Sequence, residues 1–352
     1  MPSTVLRGSD VDAFIVGLSL LGSGGGGEPA IFAPMLRRAL SRAELVLHDP
    51  DDLGDAPVVA VGMLGGALVL TEKLPSGVEI EHAVAALTRW TGIAPHALMP
   101  YEAAGINGAL AVAAACALGL PLVDADLMGR ALPRLDLLTR AVEGGPLTPY
   151  AMAEPGGGTV LIDDVDPATL ERVARAFVAQ GGGWAGGALA PVPASTVAHD
   201  SCRGTLARAL RLGRAHASLP GKPTSAQVAD AFGGRVLAAG RTVEIARQAS
   251  ATFGRAGIAI IDEGGAVLRI EAENEYLLAL LDGEPVASCP DLLCVLDGRT
   301  AAPIAVDALR VGDAVTVVVL AGPPWWAATP ERLAHVGPRA FGLDCDPVGA
   351  AR

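Results

Sequence analysis

The sequence predicts an α/β N-terminal domain followed by a β-rich α+β C-terminal domain. Three observations predict this. The chain has 352 residues, too many for one ordinary core. Helical and strand-like apolar patterns alternate through the first half, whereas strand-like segments separated by turns dominate after Arg235. The residues are 51% hydrophobic but only 4% aromatic. The core must therefore be built from Ala, Val, Leu and Ile, which pack well where helices lie on strands.

In the first half, Val11 to Leu21 has apolar residues at helical spacing, with Ser9 or Asp10 as its cap. A glycine run follows, and Pro29 opens a second helix reaching about Arg42. Leu45 to Leu47 and Val58 to Met63 read as strands, Glu79 to Trp90 as a helix, and Ala97 to Met99 as a strand. Ile106 to Leu118 is a helix, and Pro121 to Val123 a buried strand ending at Asp124. The chain turns rich in Gly and Pro from Gly144 to Gly158, which places the domain boundary just beyond, with domains 1–165 and 166–352.

The second half opens with a helix from Pro167 to Gln180. A glycine-rich connector from Gly181 to Gly187 and a helix from Arg203 to Ser218 follow. Arg235 to Leu237, Gly257 to Ile261, Val267 to Ala272, Leu292 to Leu296 and Ala314 to Leu320 read as strands. Asp262 to Gly265 and Asp282-Gly283 read as turns between them.

Charge and cysteines narrow the function classes. The net charge is −12, without a basic run, so nucleic acid and anionic membrane are poor partners. The five cysteines are an odd number without Cys-x-x-Cys spacing, which argues against a disulfide framework or a structural zinc site. Met1 to Asp12 lacks the features of a signal peptide, and a cytoplasmic location is expected. Ala103 to Val123 is uncharged. Its glycines, Asn107 and Pro121, and its flanks Glu102 and Asp124, fit a helix and a short strand better than a membrane span.

Two segments could carry chemistry. In the first, Ser23 is followed by Gly24, Gly25, Gly26 and Gly27 ahead of a helix. Such a loop exposes backbone amides near the positive end of a helix dipole and suits an anion or a carbonyl oxygen. It lacks the Gly-Lys-Ser/Thr of a phosphate loop, and Glu28 occupies the place where a phosphate would profit from the dipole. The alternative is a linker with glycines for close packing. In the second segment, Val123-Asp124-Ala125-Asp126-Leu127-Met128-Gly129-Arg130, a buried strand delivers two carboxylates at its C-terminal end. Alternation would point Asp124 and Asp126 the same way, as an acid–base pair or as oxygen ligands for a divalent metal. Arg130 could neutralise one of them. A capped turn is the plainer alternative. Glu102 and Asn107 could complete a polar ring around the same site. His199-Asp200-Ser201-Cys202 reads as capping residues rather than a nucleophile cluster. Trp325-Trp326 reads as a hydrophobic plug or an interface contact.

Together these segments resemble the S-methyl-thiohydantoin desulfurase-like family, long catalogued as a domain of unknown function and often found beside hydantoinase or oxoprolinase subunits. The resemblance rests on Leu21 through Pro29, on Glu102 with Gly105-Ile106-Asn107, and above all on Gly119 through Ala131 with Pro133. In the second half it rests on Gly204-Thr205-Leu206, Gly213-Arg214-Ala215, Glu273-Asn274-Glu275, Pro290-Asp291-Leu292 and Gly337 through Gly342. Ser23 and Glu28 stand where Thr and Asp are usual, Ala104 and Ala256 replace glycines, and Leu343 replaces a Tyr. The resemblance implies two domains and hydrolysis of a ring-bound sulfur substituent, giving a thiol and a hydantoin.

For that reaction, Asp124 or Asp126 would deprotonate water and Glu102 and Asn107 would bind ring N–H groups. The amides of Gly24 to Gly27 would hold the ring oxygen, with Ser23, Met128 and Arg130 completing the substrate-binding set. Two rivals stand beside this reading. One is a non-catalytic partner subunit of a hydantoinase-type enzyme. The other is a hydrolase using a divalent metal on Asp124 and Asp126. The apolar, weakly charged chain also favours a homo-oligomer.

Overall fold

The computed structural model describes residues 4–66, 69–70, 72–248 and 254–349. The chain forms two compact units. The first contains Met1–Ile15, Gly27–Gly129 and Arg134–Arg208, and the second Val16–Gly26, Arg130–Pro133 and Ala209–Arg352. These units do not divide at the 165/166 boundary expected from the sequence. The segment 166–208 stays with the first unit because it supplies strands to that unit's sheet.

The first unit is α/β. Its sheet runs in the order Thr4–Leu6, Leu45–His48, Leu122–Val123, Ala97–Pro100, Pro57–Gly65, Trp184–Ala188, Tyr150–Ala153, Thr159–Ile162. The four strands from Leu45–His48 to Pro57–Gly65 are parallel, and the flanking pairs are antiparallel. Val58, Val59, Ala60 and Val61 are all buried, as in a sheet covered on both faces. The Ala-rich helix Gly105–Leu118 is buried from Gly105 to Ala115, so it belongs to the core rather than to a surface layer. No helix among the described residues is long and apolar enough to cross a membrane.

One expected element is corrected here. Gly181 to Gly187 is not a connector, because Trp184–Ala188 is a strand between Pro57–Gly65 and Tyr150–Ala153. Glycine usually weakens a strand, but it also admits a close neighbour. Gly62 and Gly187 face each other across the ladder. A Cβ on Gly62 would stand 2.4 Å from the Tyr101 ring, and one on Gly187 would stand 2.1 Å from the Tyr150 hydroxyl. The two glycines make room for two buried tyrosines.

The second unit is built on a seven-stranded antiparallel sheet. Its order is Glu284–Ser288, Glu275–Leu281, Val267–Glu273, Arg255–Asp262, Arg235–Gln248, Ala314–Leu320, Leu292–Asp297. The sheet curls until its two edge strands approach each other. Alternate residues such as Ile258, Ile260, Leu268, Ile270, Val317 and Val319 fill the inside. Asp282 and Gly283 both have positive φ, at 50° and 92°, which suits a two-residue hairpin turn whose twist matches its strands. Helix Val11–Leu21 meets helix Thr205–Ala217 at Gly17, where a Cβ would lie 1.7 Å from the Ala209 carbonyl oxygen. Trp326 is fully buried and packs edge-to-face with Trp325, with ring centroids 4.8 Å apart.

Candidate functional site

The first unit gathers the carboxylates. Strand Leu122–Val123 ends at a bend on Asp124, and Ala125–Asp126 then pairs with Cys202–Arg203 in a separate two-stranded ribbon. The bend breaks the expected alternation, so Asp124 and Asp126 bond different segments. Asp124 Oδ1 accepts from the amides of Leu206 and Ala207 at 2.9 and 3.1 Å, and its carbonyl accepts from Gly204. It caps helix Thr205–Ala217 from a distant part of the chain, satisfying amides that no residue of the helix can reach.

Asp126 is fully buried. Its Oδ2 accepts from Ala103 N at 2.5 Å and its Oδ1 from Gly129 N at 2.7 Å. Burial pushes its carboxyl up to about 7, although the amides of Ala103, Gly129 and Met128 pull the other way. The Asp124 charge adds a smaller upward push. These amides leave the carboxylate a lone pair for a proton.

The Asp126 bond to Ala103 also sets the start of helix Gly105–Leu118. Glu102 and Asn107 sit there, both buried, and the helix begins at Ala104 without a side-chain cap. Asn107 Oδ1 accepts from Met63 N at 2.6 Å, which ties the helix to strand Pro57–Gly65. Tyr101 and Tyr150 are both buried here. Burial, then the neighbouring Tyr150 and Glu102, raise the Tyr101 phenol well above its ordinary value. The buried side chains of Tyr101, Glu102 and Asn107 thus lie at the start of helix Gly105–Leu118, which has no side-chain cap and whose dipole favours negative charge.

The glycine loop falls into two parts. Glu28 accepts from Ala30 N and caps the turn Pro29–Phe32, which continues into helix Ala33–Leu40. Ser23 through Gly26 belong to the second unit. Ser23 Oγ donates to Leu293 O at 2.9 Å and accepts from Leu293 N at 3.0 Å, while Ser23 O accepts from Tyr276 N. A Cβ on Gly24 would lie 2.4 Å from the Tyr276 ring, and one on Gly25 would lie 2.3 Å from Glu275 Oε1. Close approach to strand Glu275–Leu281 requires these glycines.

Arg130 corrects another expectation. Its guanidinium donates to the carbonyls of Ala131, Asp291 and Tyr276 at 3.1, 2.6 and 3.0 Å, so it pins three backbone segments rather than neutralising a carboxylate. The neighbouring Met128 is buried, and its amide supports Asp126. Asp200 and Ser201 do not cap helix Thr205–Ala217 either, since Asp124 does. Asp200 pairs with Arg140, and Ser201 Oγ donates to Val197 O. Among the described residues no three His, Cys, Asp or Glu side chains gather to hold a metal ion. Oδ1 of Asp124 and both carboxylate oxygens of Asp126 accept from backbone amides.

Comparison with known proteins supplies the lineage. The S-Me-THD-like N-terminal domain matches residues 9–164, and the S-Me-THD-like C-terminal domain matches residues 165–349. The chain belongs to the S-Me-THD-like family. The two family domains meet at 164/165, whereas the spatial units exchange segments across that point. No curated protein matches the chain. A crystal structure of a protein from Chromobacterium violaceum is similar to it at 23% identity, covering 99% of this chain and 100% of that one with a TM-score of 0.81. That likeness shows the shared fold.

Proposed function

We propose that this chain hydrolyses a small cyclic amide, removing the sulfur substituent from an S-methyl-thiohydantoin-type ring. The observation that carries the proposal is membership of the S-Me-THD-like family through both of its domains. The buried carboxylate of Asp126, poised near neutrality beside an uncapped helix N-terminus, supports it. In this reading Asp126 takes a proton from water as the water oxygen adds to the ring carbon bearing sulfur. The ring nitrogen carries the developing negative charge toward the amino end of helix Gly105–Leu118. The C–S bond then breaks, sulfur leaves as the thiol with the proton that Asp126 returns, and the hydroxyl proton passes to the ring nitrogen as the carbonyl forms. Glu102 and Asn107 bind polar groups of the ring on its reacting side, and Asp124 positions rather than reacts.

The test is incubation of the purified chain with an S-methyl-thiohydantoin, reading free thiol with a chromogenic disulfide against a protein blank. Thiol release that disappears in Asp126→Asn is the expected result. Full activity in that variant would remove Asp126 as the base. No release by the wild type would shift the reading to a non-catalytic partner of a hydantoinase-type enzyme. The exposed Leu74, Trp90 and Ile93 of the first unit would then be the surface to test for that partner.

A further inference from the structure

The first unit holds a buried charge pair that none of these roles uses. Arg140 lies in the short helix Thr139–Val142, and Asp200 ends helix Ala194–Asp200. Arg140 Nε donates to Asp200 Oδ2 at 2.7 Å, with the two side chains 0% and 6% exposed. Both residues are fixed in place. The Gly145 amide donates to the Arg140 carbonyl, and a Cβ on Gly145 would stand 2.8 Å from Arg140 Cγ. The Asp200 carbonyl accepts from Thr139 Oγ1. Yet Nη1 and Nη2 of Arg140 and Oδ1 of Asp200 are buried with no hydrogen-bond partner among the described residues. Buried polar atoms of this kind are costly to leave unmet, and more so when they carry charge.

Two backbone ties set the pair against the Asp126 turn. The Thr139 amide donates to Leu127 O at 2.8 Å. Cys202, just beyond Asp200, pairs with Asp126 in the two-stranded ribbon.

We propose that Arg140 and Asp200 form a recognition site for the amide edge of a cyclic ligand. The unmet guanidinium fork donates to a ring carbonyl, and Asp200 Oδ1 accepts from the adjacent ring N–H. The unmet atoms belong to the two members of one ion pair, and an amide edge supplies the complement of each. The pair is formally neutral, so a neutral donor–acceptor ligand satisfies it completely. A carboxylate would satisfy the fork but face Oδ1 with like charge. The ring class rests on the proposed function, and the pair deepens that reading by naming what selects the ring.

The test measures binding rather than turnover. Hydantoin and 1,3-dimethylhydantoin, which lacks both N–H donors, are titrated calorimetrically into the wild type and into Arg140→Lys, which keeps the charge but loses the fork. Hydantoin should bind the wild type roughly tenfold or more tighter than its dimethyl analogue, and Arg140→Lys should erase most of that difference. Equal binding of the two rings to the wild type, or no binding of either, overturns the inference and leaves internal water as the partner of the pair. Propionate competing as well as hydantoin overturns it in favour of an anion site. Should Arg140→Lys fail to fold, the comparison of rings on the wild type still decides. Thiol release judges the reaction separately. Ring binding that depends on Arg140 without thiol release sinks only the hydrolase reading, and thiol release without that dependence sinks only this one.

Discussion

Asp126 carries a pH dependence whose sign follows from its burial. Its carboxyl sits near 7 in the folded chain, against about 3.9 for an unfolded Asp. The native state therefore holds a proton that the unfolded state releases. The stability contributed by this group is fully present below pH ~4 and is lost as pH rises through about 7. Denaturant midpoints measured from acid to neutral pH should show that slope in the wild type and a flatter one in Asp126→Asn. An identical slope in both would remove Asp126 as its source. If Asp126 is also the base, kcat/KM should rise with pH and level off above about 7. Asp124 plays a different part. Asp124→Ala strips the cap from helix Thr205–Ala217 and should lower stability by about 1 kcal/mol, read from the denaturant midpoint. An unshifted midpoint would show that water replaces the cap without loss.

At the scale of elements, packing depends on glycines that admit a neighbour. Gly17→Ala would drive a methyl group into the Ala209 carbonyl, a backbone atom that cannot swing away. Helices Val11–Leu21 and Thr205–Ala217 would have to part, costing roughly 1–3 kcal/mol or more in chemical unfolding. Gly187→Ala would press on the Tyr150 hydroxyl inside the first sheet and should cost a similar amount. A soluble variant melting like the wild type at either position would show that the core yields more readily than its close packing implies. The same physics explains the misread Gly181 to Gly187 segment. Glycine is a turn signal by composition, and only its surroundings in the sheet reveal that Gly187 makes room for Tyr150.

For the whole molecule, all five cysteines are free, and Cys202, Cys289 and Cys294 are buried. Burial pushes the Cys289 thiol up to about 11, which leaves it unreactive near neutral pH. A chromogenic disulfide should therefore react with Cys116 and Cys345 in the native chain and with all five thiols after denaturation. Rapid reaction of Cys289 in the native chain would contradict the closed packing of the second unit. The same titration supplies the protein blank that the thiol-release assay requires.

The sequence by itself determined the local elements and the fold class. Apolar periodicity marked the helix at Val11 to Leu21 and several of the strands, because burial of one face imposes that period wherever the element packs. The Asp282-Gly283 turn was legible because positive φ at both positions is a local demand. The segments Tyr150–Ala153, Thr159–Ile162 and Glu275–Leu281 were not read as strands, although each pairs with a neighbour in sequence; Tyr150–Ala153 and most of Glu275–Leu281 are buried on both faces and so show no alternation. Within the candidate site, the sequence marked Glu102, Asn107, Asp124 and Asp126 as polar residues in apolar surroundings. Tertiary structure decided their work: Asp124 met a helix end far along the chain, Asp126 met two backbone amides, and Arg140 met Asp200. The reason is physical. Residue type fixes what a side chain can donate or accept, but its partner and its dielectric are set only when distant segments close around it.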